Sequence, residues 1–217
     1  MSSFRSSLST RPAAATREGF VELEAHAGRG PAPAPINATS GDAASVVDFW
    51  REAGPRRWFA KDAAFDRRFR ERFLSLHQAA ARNAFTGWLT ASENALAILL
   101  LLDQFPRNAF RGTPHMYATD ALARQCADAA IGAGHDRMVA TELQLFFYLP
   151  FGHSEIMADQ DRSVMLATRL GQPHLSHAER HRGIVRRFGR FPHRNPILGR
   201  AMTPDEQRFL DDGGYAG

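Results

Sequence analysis

Histidine near a carboxylate moves protons at neutral pH, and arginine holds anions through paired N–H donors. This chain gathers such residues around two similar segments, Phe105-Pro106-Arg107-Asn108 and Phe191-Pro192-His193-Arg194-Asn195. Asp103 and Gln104 end an otherwise apolar helix just before the first segment. An acid at a helix C-terminus opposes the dipole at a cost of up to about 1 kcal/mol, so a cationic partner is expected. Arg107 or an arginine of the second segment fills that role, either pinning a loop or being oriented for an incoming anion.

Helical spacing turns further polar residues inward. His77 follows Phe73 by four, His181 precedes Ile184, Val185 and Phe188, and Gln160 stands four from both Ile156 and Val164. Buried without partners, each would cost about 1–3 kcal/mol. His153 and Glu155 follow Pro150, and Arg190 and Arg194 lie in a stretch from Arg180 to Arg200 that has seven arginines and no acid. The candidate ligand-binding set is therefore His77, Asp103, Arg107, His153, Glu155, Gln160, His181, Arg190, His193 and Arg194.

Three readings of that set compete. In the first, the arginines fork onto the carboxylate or phosphate of a small anionic ligand or an acidic peptide. The second is a hydrolase-type enzyme. There His153 or His181 is the general acid-base, Glu155 or Asp103 orients it, and an arginine stabilises developing negative charge on water attack. In the third, the polar residues lock two loops together. The catalytic residues are left unassigned.

Other chemistry finds little support. His177 and His181 stand at i, i+4, a metal-chelating spacing, but no acidic third ligand follows, so no metal and no cofactor are expected. Ser154 beside His153 reads as a helix cap. No nucleophile elbow, P-loop or dinucleotide fingerprint occurs. Phe188 and Phe191 read as core rather than as base-stacking platforms, so nucleic acid is not an expected partner. The longest apolar run, Ala95 to Leu102, is far shorter than the roughly 20 residues of a membrane span. A lone cysteine, Cys126, excludes an internal disulfide and a cysteine-based zinc site, and fits a cytoplasmic protein. Nothing in the sequence fixes an oligomeric state.

The elements that must position these residues are helices. The 217 residues, 44% hydrophobic and 23% charged, suit one globular domain. Residues 1–40, rich in Ser, Ala, Arg and Pro, are expected to be a disordered tail, and 41–217 a single helical domain. Asp62 caps a helix with a Phe65, Phe69, Phe73, Leu76, Ala80 stripe. Thr90 to Glu93, Ser176 to Glu179 and Thr203 to Glu206 read as capping boxes. The Ala95–Leu102 helix is predicted to stop near Phe105, ahead of Pro106, and the one from Leu143 to be cut by Pro150. Thr119, Thr141 and Ser154 open other helices. No strand pattern appears. The fold class is all-α, as antiparallel helices in a compact bundle or superhelix.

Val46-Val47-Asp48-Phe49-Trp50, Trp58-Phe59, Leu100 to Asn108, Ala118-Thr119-Asp120, Phe147 to Phe151, His153-Ser154-Glu155 and Arg187 to Asn195 together resemble a bacterial family, the domain of unknown function nine-twenty-four. The likeness spans about residues 44–210 in order. It implies a TPR-like α-α superhelix and no established activity. Where the family carries a bulkier residue, often Glu, this chain has Gly152.

Overall fold

The computed structural model describes residues 39–217, and every regular element in that span is helical. The tail expected over residues 1–40 lies outside the described residues as far as 38. Thr39 and Ser40 instead begin the first helix, α1 (Ser40–Ala53), where Thr39 and Asp42 form a reciprocal capping box.

After Gly54, whose positive φ of 71° suits only a residue without Cβ, the short α2 (Pro55–Trp58) turns back. Trp58 stacks on Trp50 and donates its indole N–H to the Trp50 carbonyl at 2.7 Å. Asp62 caps α3 (Ala63–Ala81) as predicted, accepting from the Ala64 and Phe65 amides. Phe65, Phe69 and Phe73 are buried on one face; His77 continues that row, while Leu76 is only half-buried.

The predicted stop before Pro106 does not occur. Helix α4 (Ser92–Leu99) passes into a π-helical turn (Leu100–Gln104) and directly into α5 (Phe105–Ala109). In the wider turn the Phe105 amide donates to the Leu100 carbonyl, five residues back. With the Phe105 amide diverted to Leu100 and no N–H on Pro106, the Leu101 and Leu102 carbonyls lack their usual helical donors. Side chains supply them. His77 Nδ1 reaches the Leu101 carbonyl at 2.9 Å, and the Thr119 hydroxyl donates to the Leu102 carbonyl at 2.5 Å. Asp103 is consequently inside a continuous helix, and the end-of-helix penalty does not apply to it.

Next come α6 (Asp120–Gly132), α7 (Thr141–Gly152), α8 (Met157–Ala167), α9 (His174–Phe188) and α10 (Pro204–Asp211). Pro150 does not cut α7, which continues to Gly152. Of the three predicted capping boxes, only Thr203 with Glu206 forms, with Pro204 in the first turn. Thr90 bonds back to the Gly87 carbonyl, leaving Ala91 at the start of α4. Ser176 lies inside α9 and its hydroxyl goes to Gln172. Ser154 closes the turn before α8, accepting from the Ile156 amide and donating to Asp159.

Helix α1 packs on α4 and α3 on α5, while α6, α7, α8 and α9 pack each on the next. One apolar cluster runs from Ala43 to Leu166 and includes the whole Ala95–Leu102 run and Cys126, whose thiol burial raises its pKa. A smaller cluster, Ile184, Val185 and Phe191, joins α9 to the segment after it. No described helix is long and apolar enough to cross a membrane.

Candidate functional site

The π turn and Pro106 decide what α5 presents. Gln104, Arg107, Asn108 and Arg111 fall three and four residues apart, so they share one face, and that face lines a cavity of about 670 Å³. Opposite stand Tyr148, Leu149 and Gly152 of α7 and His174, His177, Ala178 and His181 of α9. Trp58 and Phe59 form another wall, and His193, Arg194 and Tyr215 reach in from the C-terminal part.

At the polar end, Asp103 is 1% exposed and its carboxylate is fully engaged. One oxygen accepts from His153 Nδ1 at 2.8 Å, with the Arg107 guanidinium 3.2 Å away, and the other accepts from the Gln104 amide at 2.7 Å. Burial alone would raise the Asp103 pKa; Arg107 and His153 overcome it and hold the group at about 2. An ionised carboxylate can only accept, so the imidazole proton sits on Nδ1. His153 Nε2 has no hydrogen-bond partner among the described residues, and the ring lines the cavity. Burial, then Arg107, push the His153 pKa down, with Asp103 opposing them.

The two Phe-Pro segments meet on a residue the sequence reading did not select. Asp120, at the start of α6, takes two bonds from Arg107 at 2.9 and 3.1 Å, and Arg194 lies 3.5 Å from the same carboxylate. Arg194 also donates to the His153 carbonyl at 2.9 Å and covers the Tyr117 ring at 4.4 Å. Burial, then Arg107, lower the Arg194 pKa. The Ala118-Thr119-Asp120 string was the signal that could have found Asp120, but an acid in a first helical turn reads as dipole complementation.

His181 and His193 complete this end. The His181 Nδ1 stands 3.2 Å from the Gly152 carbonyl, and Tyr215 packs against both rings. Burial first, then His153, hold His181 near pKa 3; burial, then Arg194, hold His193 near 4. Both are therefore neutral at pH 7. Gly152 leaves room here: a Cβ at this position would lie 3.0 Å from the Ser163 hydroxyl.

The remaining candidates do not line the cavity. His77 is core, stacked on Phe105 and spent on the Leu101 carbonyl. Gln160, fully buried, donates to the Gly152 and Ser154 carbonyls and so fixes the backbone on both sides of His153. Glu155 accepts from the Phe191 amide and from both terminal nitrogens of Arg200, tying the His153 turn to the second Phe-Pro segment. Arg190 pairs with Glu206 at 2.6 and 2.8 Å. His177 and His181 face the same cavity, and no group of three or more potential metal ligands forms among the described residues.

The sequence set thus divides. Arg107, His153, His181, His193 and Arg194 converge on the cavity; Asp103, Gln160 and Glu155 hold them from behind; His77 and Arg190 serve the fold elsewhere. Tyr117, Tyr148, Tyr215 and Trp58 were missed, since nothing in the spacing of these aromatic residues points to a shared cavity.

No curated protein matches the chain. In architecture it is similar to the protein of unknown function ATU0120 from Agrobacterium tumefaciens, at 58% identity and a TM-score of 0.80, over 81% of this chain and 100% of that one. A family model described as "Bacterial protein of unknown function (DUF924)" matches residues 46–214, which include every residue of the cavity's polar end except Tyr215, and the chain belongs to that family.

Proposed function

We propose that the protein binds a small organic anion in this cavity, with the anionic head at the Arg107, His153 and Arg194 end and an apolar body against Trp58, Leu149 and Tyr148. The observation that carries this reading is the convergence of Arg107, His153, His181, His193 and Arg194 on one cavity of about 670 Å³, within the usual size range of small-molecule sites. A small ligand is favoured over an acidic peptide because both arginines are largely buried and already share Asp120. The successive packing of α6 through α9 is also how TPR-like arrays frame such a site.

The test is thermal denaturation with benzoate, phenyl phosphate and neutral benzyl alcohol. A ligand at 100 times its Kd stabilises by about 2.7 kcal/mol. Stabilisation by the anions that disappears in Ala178→Trp, which adds bulk but no charge at a cavity-lining position, supports the reading. No stabilisation by either anion removes it.

A hydrolase is the second reading, favoured by the His153–Asp103 pair with its Nε2 toward the cavity. There His153 would take a proton from water as that water attacks a bound ester. Turnover of p-nitrophenyl esters that vanishes in His153→Gln would favour it over simple binding; equal turnover by the variant would dismiss it.

A further inference from the structure

The polar end of the cavity contains its own charge balance. Arg107 and Arg194 are two positive groups, and Asp103 and Asp120 are two negative groups within 3.5 Å of them. His153, His181 and His193 add nothing while neutral. An anion entering this end therefore meets no net positive charge and must be desolvated against two resident carboxylates.

We propose that the cavity takes its organic anion together with one proton, which comes to rest on His153 Nε2, so that the bound species corresponds to a weak acid rather than to a bare anion. This rests on the anion-binding reading and specifies its ligand class and linkage.

His153 is the acceptor for a geometric reason. Its Nδ1–H is already directed at Asp103, so protonation at Nε2 produces an imidazolium with a buried carboxylate on one side and the ligand on the other. The surroundings are mixed. Asp103 and Asp120 favour the cation, while Arg107 on α5 and Arg194 on the second segment oppose it; His193 beside Arg194 and His181 on α9 are neutral and bring no charge against it. Tyr117, Tyr215 and Glu155, the last paired with Arg200, also stand at this end, and Tyr148, His174, His177 and Arg111, the last paired with Asp66, line the rest of the cavity. Burial and the opposing groups outweigh Asp103 and Asp120; a bound anion would add further counter-charge. Neither alternative matches this. His181 has Nδ1 on a backbone carbonyl, and the buried Nδ1 of His193 has no partner among the described residues, so neither ring donates to a carboxylate as His153 does.

The experiment is titration calorimetry of the whole chain with benzoate, ionised throughout, at one pH in Bis-Tris and in Tris, followed by Kd from pH 7 to 9. Expected are a heat that differs between buffers by one proton taken up per benzoate and a Kd that weakens about tenfold per pH unit. Benzyl alcohol should show neither. His153→Gln should lose the pH slope, and His181→Gln should keep it. On the unmodified protein, the His153 Nε2 nitrogen resonance should move to the imidazolium position on addition of benzoate, which locates the proton even if the glutamine variant does not fold. Benzoate binding with equal heats and a flat Kd would overturn proton uptake and leave the binding reading standing. A pH slope retained by His153→Gln, or a proton found on another ring, would overturn the assignment to His153. Failure of benzoate and phenyl phosphate to bind at any pH would remove both.

Discussion

The two Phe-Pro segments share a residue string and little backbone. In the first, Pro106 sits inside a continuous helix made possible by the π turn; in the second, Pro192 starts a short 3₁₀ turn after Phe191, two residues past the left-handed Gly189. Their asparagines also differ: Asn108 donates to Asp66, whereas Asn195 is fully buried near Met202. What coincides is the destination of the arginine, since both reach Asp120 and the same cavity wall. A short repeated string can thus encode a shared side-chain target without a shared local fold.

The largest test of that convergence is Asp120→Ala. It leaves two mostly buried guanidiniums without their common counter-charge and should destabilise the protein by about 3–5 kcal/mol in urea unfolding. A loss below about 1 kcal/mol would mean that the segments do not depend on this residue.

A smaller effect separates the two backbones. Thr119→Val deprives the Leu102 carbonyl of its donor and should cost about 1–3 kcal/mol. Adding Pro106→Ala restores a backbone N–H that can take its place, so the double variant should recover part of the loss. Pro192→Ala in the same background should recover nothing. Additivity of Thr119→Val with Pro106→Ala would refute the proposed rescue of the helix.

A pH-dependent effect uses the residue found only in the second segment. Because the pKa of His193 is near 4 when folded, below its unfolded value near 6.5, the unfolded chain binds more protons between those values. Stability from this group is complete above about pH 6.5 and is lost as pH falls toward 4, at a slope of up to about 1.4 kcal/mol per pH unit. His181 contributes in the same direction, with a folded pKa near 3. His193→Phe should flatten the acid limb of a stability–pH curve; an unchanged limb would show that His193 is not buried as a neutral ring.

Much of the helical fold is legible in the sequence because its causes are local. Asp62 and Thr203 cap their helices through bonds to residues two or three along, and the Phe65-Phe69-Phe73 row follows from periodicity. The misread boundaries had distant causes. Pro106 is tolerated because His77 and Thr119, from other elements, satisfy the carbonyls left without donors at this turn. Thr90 and Ser176 have the spacing of caps, yet their hydroxyls found nearer acceptors in neighbouring turns. For the site, residue type identified groups that need partners, but not whether the partner would be a ligand or a neighbour. Glu155 and Arg190 looked as free as Arg107 and found Arg200 and Glu206 instead.

Gly152 gives the cavity unequal ends. Around it the wall is main chain, held by Gln160 and His181, and a Cβ here would lie 3.0 Å from the Ser163 hydroxyl, so a side chain fits only if Ser163 gives way. Backbone fixed in this way has no rotamers to offer, so that end can only accept or reject the shape presented to it. At the other end Phe59, 60% exposed, keeps its torsional freedom and can follow ligands of different length. Discrimination among ligands should therefore be strict for the head group and permissive for the tail, an unequal tolerance set by one missing methyl group.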